Sequence, residues 1–466
     1  MDTTPPLPST PAPRGVLAGL GLVMLLPALG TSIANVALPA LARQLALPST
    51  HVQWVVIAYL LTLTAAVVAA GRLGDVWGRR RLLLAGLALF ALASLAAGAA
   101  PGLGWLIAAR VAQGLGAAVM MALTLALVGE VVPKAQAGSA MGLLGTLSAV
   151  GTALGPSLGG LLLATWGWQA VFWVNVPLAL AALALTWWQL PLDRATPPRT
   201  VRFDHLGAAL LALSLTAYAL AMTLQPGAWG TLNTGLLLAA GLGLAAFAWV
   251  ETRAPAPLLR LQTLRQPAVA TGVAVNALIT TVVMATLVVG PFYLAGGLGL
   301  DAAHMGLVMT TGPAVAALAG APAGQLVDRL GVSRVTGAGL LLMLTGSAAL
   351  PWASATWGAL GYAATLAFIT AGYASTQAAN NTAVMASAPA DQRGLVSGLV
   401  NLSRNLGLIT GASAMGAVYQ WGATTTTEAG VLDALAGLRL AFGVAVGLVL
   451  AAMVVAGLGQ RVARQG

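Results

Sequence analysis

Long uncharged stretches, parted by short charged clusters, set the pattern of this chain from residue 15 onward. Residues 15–42, 44–71 and 82–109 carry no charge, and a fourth apolar stretch, 110–129, opens on Arg110. Three longer stretches, 135–192, 205–250 and 335–390, are each long enough for two helices. Each contains an internal turn signal: Trp166-Gly167-Trp168, Gln225-Pro226-Gly227, and the segment from Pro351 to Gly358. The remaining stretches are 266–300, 302–327, 394–427 with Arg404 inside it, and 440–460. A helix that crosses a bilayer needs about 20 mostly apolar residues. The pattern therefore predicts fourteen membrane-spanning helices.

Composition agrees with a membrane solvent. Only 7% of residues are charged and 59% are hydrophobic, whereas a soluble domain carries about 25% charged residues. The net charge of +10 would suggest nucleic acid in a soluble protein, but its distribution says otherwise. With the N-terminus placed in the cytoplasm, 17 of the 21 basic residues fall in cytoplasmic segments, as the positive-inside rule demands. Arg43 and Arg439 lie outside, and Arg110 and Arg404 lie within spans. The basic balance is topological, so no nucleic-acid partner is expected. The Pro/Thr-rich first residues read as a short disordered tail without a basic signal-peptide n-region. The first apolar stretch is therefore expected to stay in the membrane. Cysteine is absent, and His51, His205 and His304 are too scattered for a metal site. No P-loop is present, so no nucleotide, metal or cofactor is expected.

The chain repeats itself. GRLGDVWGRRR from Gly71 and GQLVDRLGVSR from Gly324 share the spacing G-x3-D-x2-G-x2-R, offset by 253 residues. Pro133, Gln136, Gly138, Gly142 and Leu143 recur as Pro389, Gln392, Gly394, Gly398 and Leu399, offset by 256. Matching loops in matching order indicate two homologous halves, as in secondary transporters. The repeat unit is six spans and the offset eight, so spans seven and eight are an insertion. The expected organisation is a tail at 1–14, a six-helix bundle at 15–192 and linkers with two inserted helices at 193–265. A second six-helix bundle at 266–460 and a cytoplasmic tail at 461–466 complete it.

GRLGDVWGRRR resembles the signature loop between spans two and three of the major facilitator superfamily. RVAQGLGAA from Arg110 resembles its span-four motif, and GTALGPSLGG from Gly151 its antiporter-type span-five motif. NVALP from Asn35 is similar to the span-one motif of the 14-span drug:proton antiporter branch. The resemblance covers nearly the whole chain. It implies an all-α membrane protein of the major facilitator fold, with two six-helix repeats plus two inserted central helices. It also implies a latch between the halves at the cytoplasmic side, built from Asp75, Gly78, Arg79, Arg80 and Glu130. Asp328, Arg329 and Arg334 would form its counterpart. A carboxylate docked at a helix N-terminus is stabilised by up to about 2 kcal/mol. Asp75 is accordingly expected at the start of span thirteen near Gly394, with Asp328 mirrored near Gly138. Glu130 is expected to pair with Arg79 or Arg80. Val76 departs from the basic residue usual after that aspartate.

Gly151, Gly155 and Gly159 lie on one helix face, where small residues admit a neighbouring helix. Pro156 can bend that helix, and Gly160 completes the motif. Arginine is costly at the bilayer centre. Arg110 lies about 9 Å from its span's outer end, which allows partial snorkelling, and Arg404 about 15 Å from the cytoplasmic surface. Both are candidates for the substrate cavity, with Asn35, Tyr59, Gln113, Asn276, Tyr293, Gln377 and Asn380. Trp54, Tyr373 and Asn381 are further polar residues within spans. None of the eleven carboxylates falls in the middle of a span. Aligning on NVALP places Gly30 where the antiporter branch often carries an aspartate.

The expected function is alternating-access efflux of hydrophobic or amphipathic small molecules, with the proton coupling that the resemblance implies. The alternative is a carrier of an anionic or neutral metabolite, not proton-coupled because Gly30 replaces the aspartate. No nucleophile–base pair or metal constellation suggests an enzyme. Paired repeats suit rocking halves better than a fixed pore.

Overall fold

The computed structural model describes residues 14–131, 137–191, 204–224, 230–254, 264, 266–387, 393–424 and 433–465. Every long element among them is helical. The first group is α1 (Arg14–Leu45), α2 (Ser49–Val52), α3 (Trp54–Trp77), α4 (Arg79–Gly98), α5 (Leu103–Val131), α6 (Ala137–Trp166), α7 (Trp168–Trp173) and α8 (Asn175–Gln189). A hairpin, α9 (His205–Thr223) and α10 (Thr231–Arg253), follows. The second group is α11 (Pro267–Gly296), α12 (Ala302–Leu330), α13 (Val332–Ser387), α14 (Arg393–Thr410), a π-helical turn (Gly411–Met415), α15 (Gly416–Thr424) and α16 (Ala434–Gln465).

Eleven of the described helices are long and apolar enough to cross a membrane. One is α13, which runs for 56 residues and turns at Gly358, where φ is 59° and ψ is −134°. A side chain would strain that backbone, so the break expected between Pro351 and Gly358 falls at its last residue. The turn expected at Trp166-Gly167-Trp168 is likewise present, with Gly167 at φ 81°. α14 carries Arg404 and is interrupted by the π turn, and so falls outside the eleven; the described apolar run of α6 is limited to Val150–Trp166.

The internal repeat is visible in backbone geometry. Gly78 ends α3 at φ 93° and ψ 129°, and its counterpart Gly331 ends α12 at φ 82° and ψ 158°. Both signature loops thus turn on a glycine in the left-handed half of φ space, where an L side chain is disfavoured. The end of the molecule that carries these loops is termed the basic end, and the opposite one the far end.

Helix packing separates two groups. In the first, α1 lies against α6 and α8, and α5 against α3 and α4. In the second, α11 lies against α14 and α16, and α12 against α13. They meet where α12 crosses α6, α11 meets α1, and α14 and α15 meet α3 and α2. The hairpin docks through α9, which contacts α3 and the π turn, and Trp54 Nε1 donates to Thr223 Oγ1 at 2.9 Å. Helix α10 packs on α9 and is otherwise mostly exposed.

The outer surface is apolar: Leu92, Leu213, Leu242, Leu318 and Leu360 are exposed. In water this would be an aggregation hazard; in lipid it is the solvated face. Exposed tryptophans mark both ends, with Trp77, Trp187, Trp188 and Trp249 at the basic end and Trp105, Trp166, Trp352 and Trp421 at the far end. This is the aromatic banding of a membrane protein. Asp301 caps α12, its Oδ1 accepting from the His304 backbone N–H at 2.8 Å. That bond first, and the His304 ring second, hold its carboxyl below the usual carboxylate range.

Candidate functional site: the cavity between the halves

A cavity of about 240 Å³ lies where the two groups face one another. Its walls come from α1, α3, α5 and α6 on one side and from α11, α12, the second arm of α13 and α14 on the other. Met24, Met121, Met284 and Met309 supply much of the apolar wall. Unbranched, polarisable methionine adapts to ligands of differing shape. Arg404 is the charged residue among the described residues of the lining, and Tyr373 and Asn405 add polar groups beside it.

Helix geometry explains why Arg404 faces inward. Residues four apart share a helix face. Ser403 and Gly407 define the face of α14 that lies on α11. Asn276 Nδ2 donates to Ser403 Oγ at 2.8 Å and to the Val400 carbonyl at 2.9 Å. A Cβ added to Gly407 would stand 2.5 Å from the Ala277 carbonyl oxygen, so the helices touch backbone to backbone. With that face occupied, Arg404, Asn405 and Leu408 turn to the cavity. Replacing Asn276 with alanine removes both bonds. It is expected to lower stability by about 1 kcal/mol, the scale of interhelical bonds in membranes, measured by thermal unfolding in detergent.

The span-five glycines show the same construction in the first half. A Cβ on Gly151 would stand 2.5 Å from the Leu25 carbonyl oxygen, and one on Gly155 would overlap Ser32 Oγ. Gly159 faces Ile33. All three thus admit α1, as the spacing predicts. Gly160 lies on a different face: a Cβ there would stand 2.5 Å from the Ala302 carbonyl oxygen and 2.8 Å from Gly306 Cα. Gly306 in turn approaches the carbonyl oxygen of Pro156. The motif therefore packs one half internally and seals that half to the other at the far end.

Extending the 256-residue offset reveals a signal that the motif reading missed. Gly407, Gly411 and Gly416 are the repeat counterparts of Gly151, Gly155 and Gly160. The first two lie against α11 as their counterparts lie against α1, and Gly416 lies against Gln53 across the halves. The far end is thus sealed twice, by Gly160 on Gly306 and by Gly416 on Gln53. The second seal differs in chemistry. Gln53 is 1% exposed, and neither polar atom of its amide has a hydrogen-bond partner among the described residues. A nearby bond, Ser49 Oγ to Gln420 Oε1 at 2.6 Å, also joins the halves.

The other polar candidates from the sequence are placed elsewhere. Arg110 is fully buried inside the first group and does not snorkel. Its Nε donates to the Val55 carbonyl at 2.7 Å and its Nη1 to Gln113 Oε1 at 2.5 Å, while its guanidinium stacks on Tyr59 at 4.1 Å. Gln113 donates on to Ser94 Oγ, and the Tyr59 hydroxyl to the Pro27 carbonyl. Arg110, Tyr59 and Gln113 thus tie α1, α3, α4 and α5 together behind the cavity wall. Partners within reach in the bundle replace the aqueous surface that snorkelling would seek. Asn35 donates to the Thr31 carbonyl of its own helix, and Asn380 to the Gly272 carbonyl, where it lines a separate groove between α11, α13 and α16. Tyr293 stacks on Tyr362 at 6.2 Å. Gln377 lies on the second arm of α13 outside the cavity lining, and Asn381 is exposed. A Cβ on Gly30 would meet Phe90 and the Tyr59 hydroxyl at 3.4 and 3.6 Å, room enough for a side chain.

At the basic end, Arg80 donates to the Trp187 carbonyl at 2.5 Å and lies over its ring at 5.2 Å. Arg79 donates to the Ala126 carbonyl at 3.4 Å. Asp328, Arg329 and Arg334 are exposed. The side chains of Asp75 and Glu130, and the surroundings of Gly138 and Gly394, lie outside the described residues, as do Lys134, Pro389 and Gln392.

Comparison with known proteins agrees with this architecture. The chain is 32% identical over 416 residues to the multidrug resistance protein Stp of Mycobacterium tuberculosis (strain CDC 1551 / Oshkosh), covering 89% of this chain and 76% of the relative. It is 31% identical to the tetracenomycin C resistance and export protein of Streptomyces glaucescens, over 87% of this chain and 75% of that one. Among solved structures, a bacterial homolog of the human lysosomal transporter Spinster superposes with a TM-score of 0.71 at 17% identity, over 97% of this chain and 98% of that chain. The family model for the Major Facilitator Superfamily matches residues 20–412 and 282–461, and with the paired bundles and the cavity between them this chain belongs to that superfamily of membrane transporters.

Proposed function

We propose that this chain is an alternating-access exporter of hydrophobic or amphipathic small molecules. The observation that carries the reading is the methionine-walled cavity between the halves, closed at the far end by contacts that a rocking motion would part. Relatives named for multidrug resistance and for tetracenomycin C export support outward transport. Counting α13 as two arms, α2 with α3, α7 with α8, and α14 with α15 as single passes gives the fourteen spans of the drug:proton antiporter branch. Residues 15–192 and 266–460 then form the two bundles, with 193–265 inserted between them. The positive-inside rule puts the basic end and both termini in the cytoplasm, in a cell inner membrane. The resemblance of the loop at Gly71 supports a cytoplasmic latch in which Asp75 would pair with the start of α14 and Glu130 with Arg79 or Arg80, and these carboxylates would serve proton coupling. Asp328 with Arg329 and Arg334 would form the matching latch in the second half.

Everted membrane vesicles with an imposed pH gradient and an internal pH dye test this reading. Addition of lipophilic substrates is expected to release protons from wild-type vesicles, with the response lost in Asp75→Asn. Saturable flux without proton movement would retain the carrier and remove the antiport; no saturable flux of any compound would remove the carrier.

A further inference from the structure

The cavity is electrostatically one-sided. Arg404 lines it, and no carboxylate is among its described lining residues. Among the described residues the Arg404 guanidinium has no hydrogen-bond or ion-pair partner, in contrast to Arg110. Tyr373 and Asn405 line the same space, and their side chains also lack hydrogen-bond partners among the described residues. The repeat sharpens the point. The counterpart of Arg404 at an offset of 256 is Ser148, which also lines the cavity, as do the matched pair Thr152 and Leu408. One register of the fold therefore faces the cavity twice, bearing a neutral hydroxyl in one half and a permanent cation in the other.

We propose that the transported substrate is an amphipathic monoanion: a compact apolar body bearing a single carboxylate, sulfonate or similar acidic group, received by Arg404. A guanidinium held in an apolar space is costly until an anion meets it. Its planar fork suits two oxygens of one acidic group, and the Asn405 amide and Tyr373 hydroxyl are further donors for that group. The methionine walls take the apolar body. A lipophilic cation would meet like charge with no carboxylate among the described lining residues to offset it. This assignment rests on the efflux reading and narrows its substrate class.

Three labelled probes of one shape test it: naphthalenesulfonate, naphthalenesulfonamide and naphthyltrimethylammonium. Binding to the purified full chain in detergent is measured by equilibrium dialysis, and flux is measured after reconstitution into vesicles. Wild type is expected to bind the sulfonate roughly 10-fold or more tighter than the other two, the low end for a charge-assisted bond. Arg404→Gln removes that preference, Arg404→Lys keeps part of it, and Arg404→Glu turns it toward the cation, with thermal unfolding confirming that each variant is folded. Equal or tighter binding of the cation by wild type overturns the assignment, as does a sulfonate preference unchanged in Arg404→Gln. If the neutral and cationic probes are carried saturably without anion preference, the exporter stands and the anion site falls. If wild type neither binds nor carries any probe, both fall.

Discussion

Replacing Gly160 with valine is expected to hold the far end open and abolish net transport. The atoms that a Cβ would meet, the Ala302 carbonyl oxygen at 2.5 Å and Gly306 Cα at 2.8 Å, belong to the backbone of the opposite half. No rotamer change relieves such a contact, so the halves themselves must separate. Overpacking costs about 1–3 kcal/mol where a core can adjust, and here the adjustment is the conformational change. A shift of that size changes the ratio of sealed to open forms by roughly 5- to 150-fold. The cysteine-free chain makes the measurement simple. With Gln420→Cys as a single reporter beside the seal, Gly160→Val should raise its labelling by a membrane-impermeant maleimide several-fold, by the same arithmetic. Unchanged labelling in a folded protein would show that this contact does not hold the far end shut.

Gln53→Met is expected to act in the opposite direction. The sealed form buries an amide whose nitrogen and oxygen both lack partners among the described residues, and opening would return both to water. Leaving such a group unsatisfied costs about 1–3 kcal/mol. The seal therefore carries a built-in bias toward release at its Gly416 contact that the Gly160–Gly306 contact lacks. Methionine matches the length of glutamine without its polar atoms. The variant should unfold at a higher temperature while its turnover falls about tenfold, since 1.4 kcal/mol is a factor of ten. A lower unfolding temperature would mean that the amide is satisfied in the sealed form and that the bias is absent. The two variants together ask whether the repeat-related contacts are one gate, because the double variant should then fall between the singles in far-end maleimide labelling.

What was legible in advance follows from what is local. The breaks at Gly167 and Gly358 follow from residue types whose backbone preferences need no neighbours, and the repeated G-x3-D-x2-G spacing marks the two loops that prove to turn on Gly78 and Gly331. The face formed by Gly151, Gly155 and Gly159 came from helical periodicity, and the helix it admits is α1. The depth of Arg404 came from counting residues along a helix. By contrast, polarity alone marks the other residues as cavity candidates in the sequence. A buried asparagine that lines a cavity and one that bonds a neighbouring helix have the same one-dimensional signature. Asn276 and Asn380 bond neighbouring backbone, and Arg110 sits within its own bundle, because each found partners on helices distant in sequence.

The sequence by itself determined a membrane protein of helices, its internal repeat, the side on which its charges gather and the absence of a carboxylate from the middle of any span. These depend on composition, spacing and residue order, which the bilayer converts into topology because unpaired backbone cannot be left in lipid. Tertiary structure decided which helix faces meet: that Gly160 seals the halves while its neighbours pack within one, that the Gln53 amide enters the matching seal without a partner among the described residues, and that Arg404 faces the cavity while Arg110 does not. The rotation of each helix about its axis is set by the fit of small residues against another helix. That fit is a property of pairs of surfaces, and it exists only once both are in place.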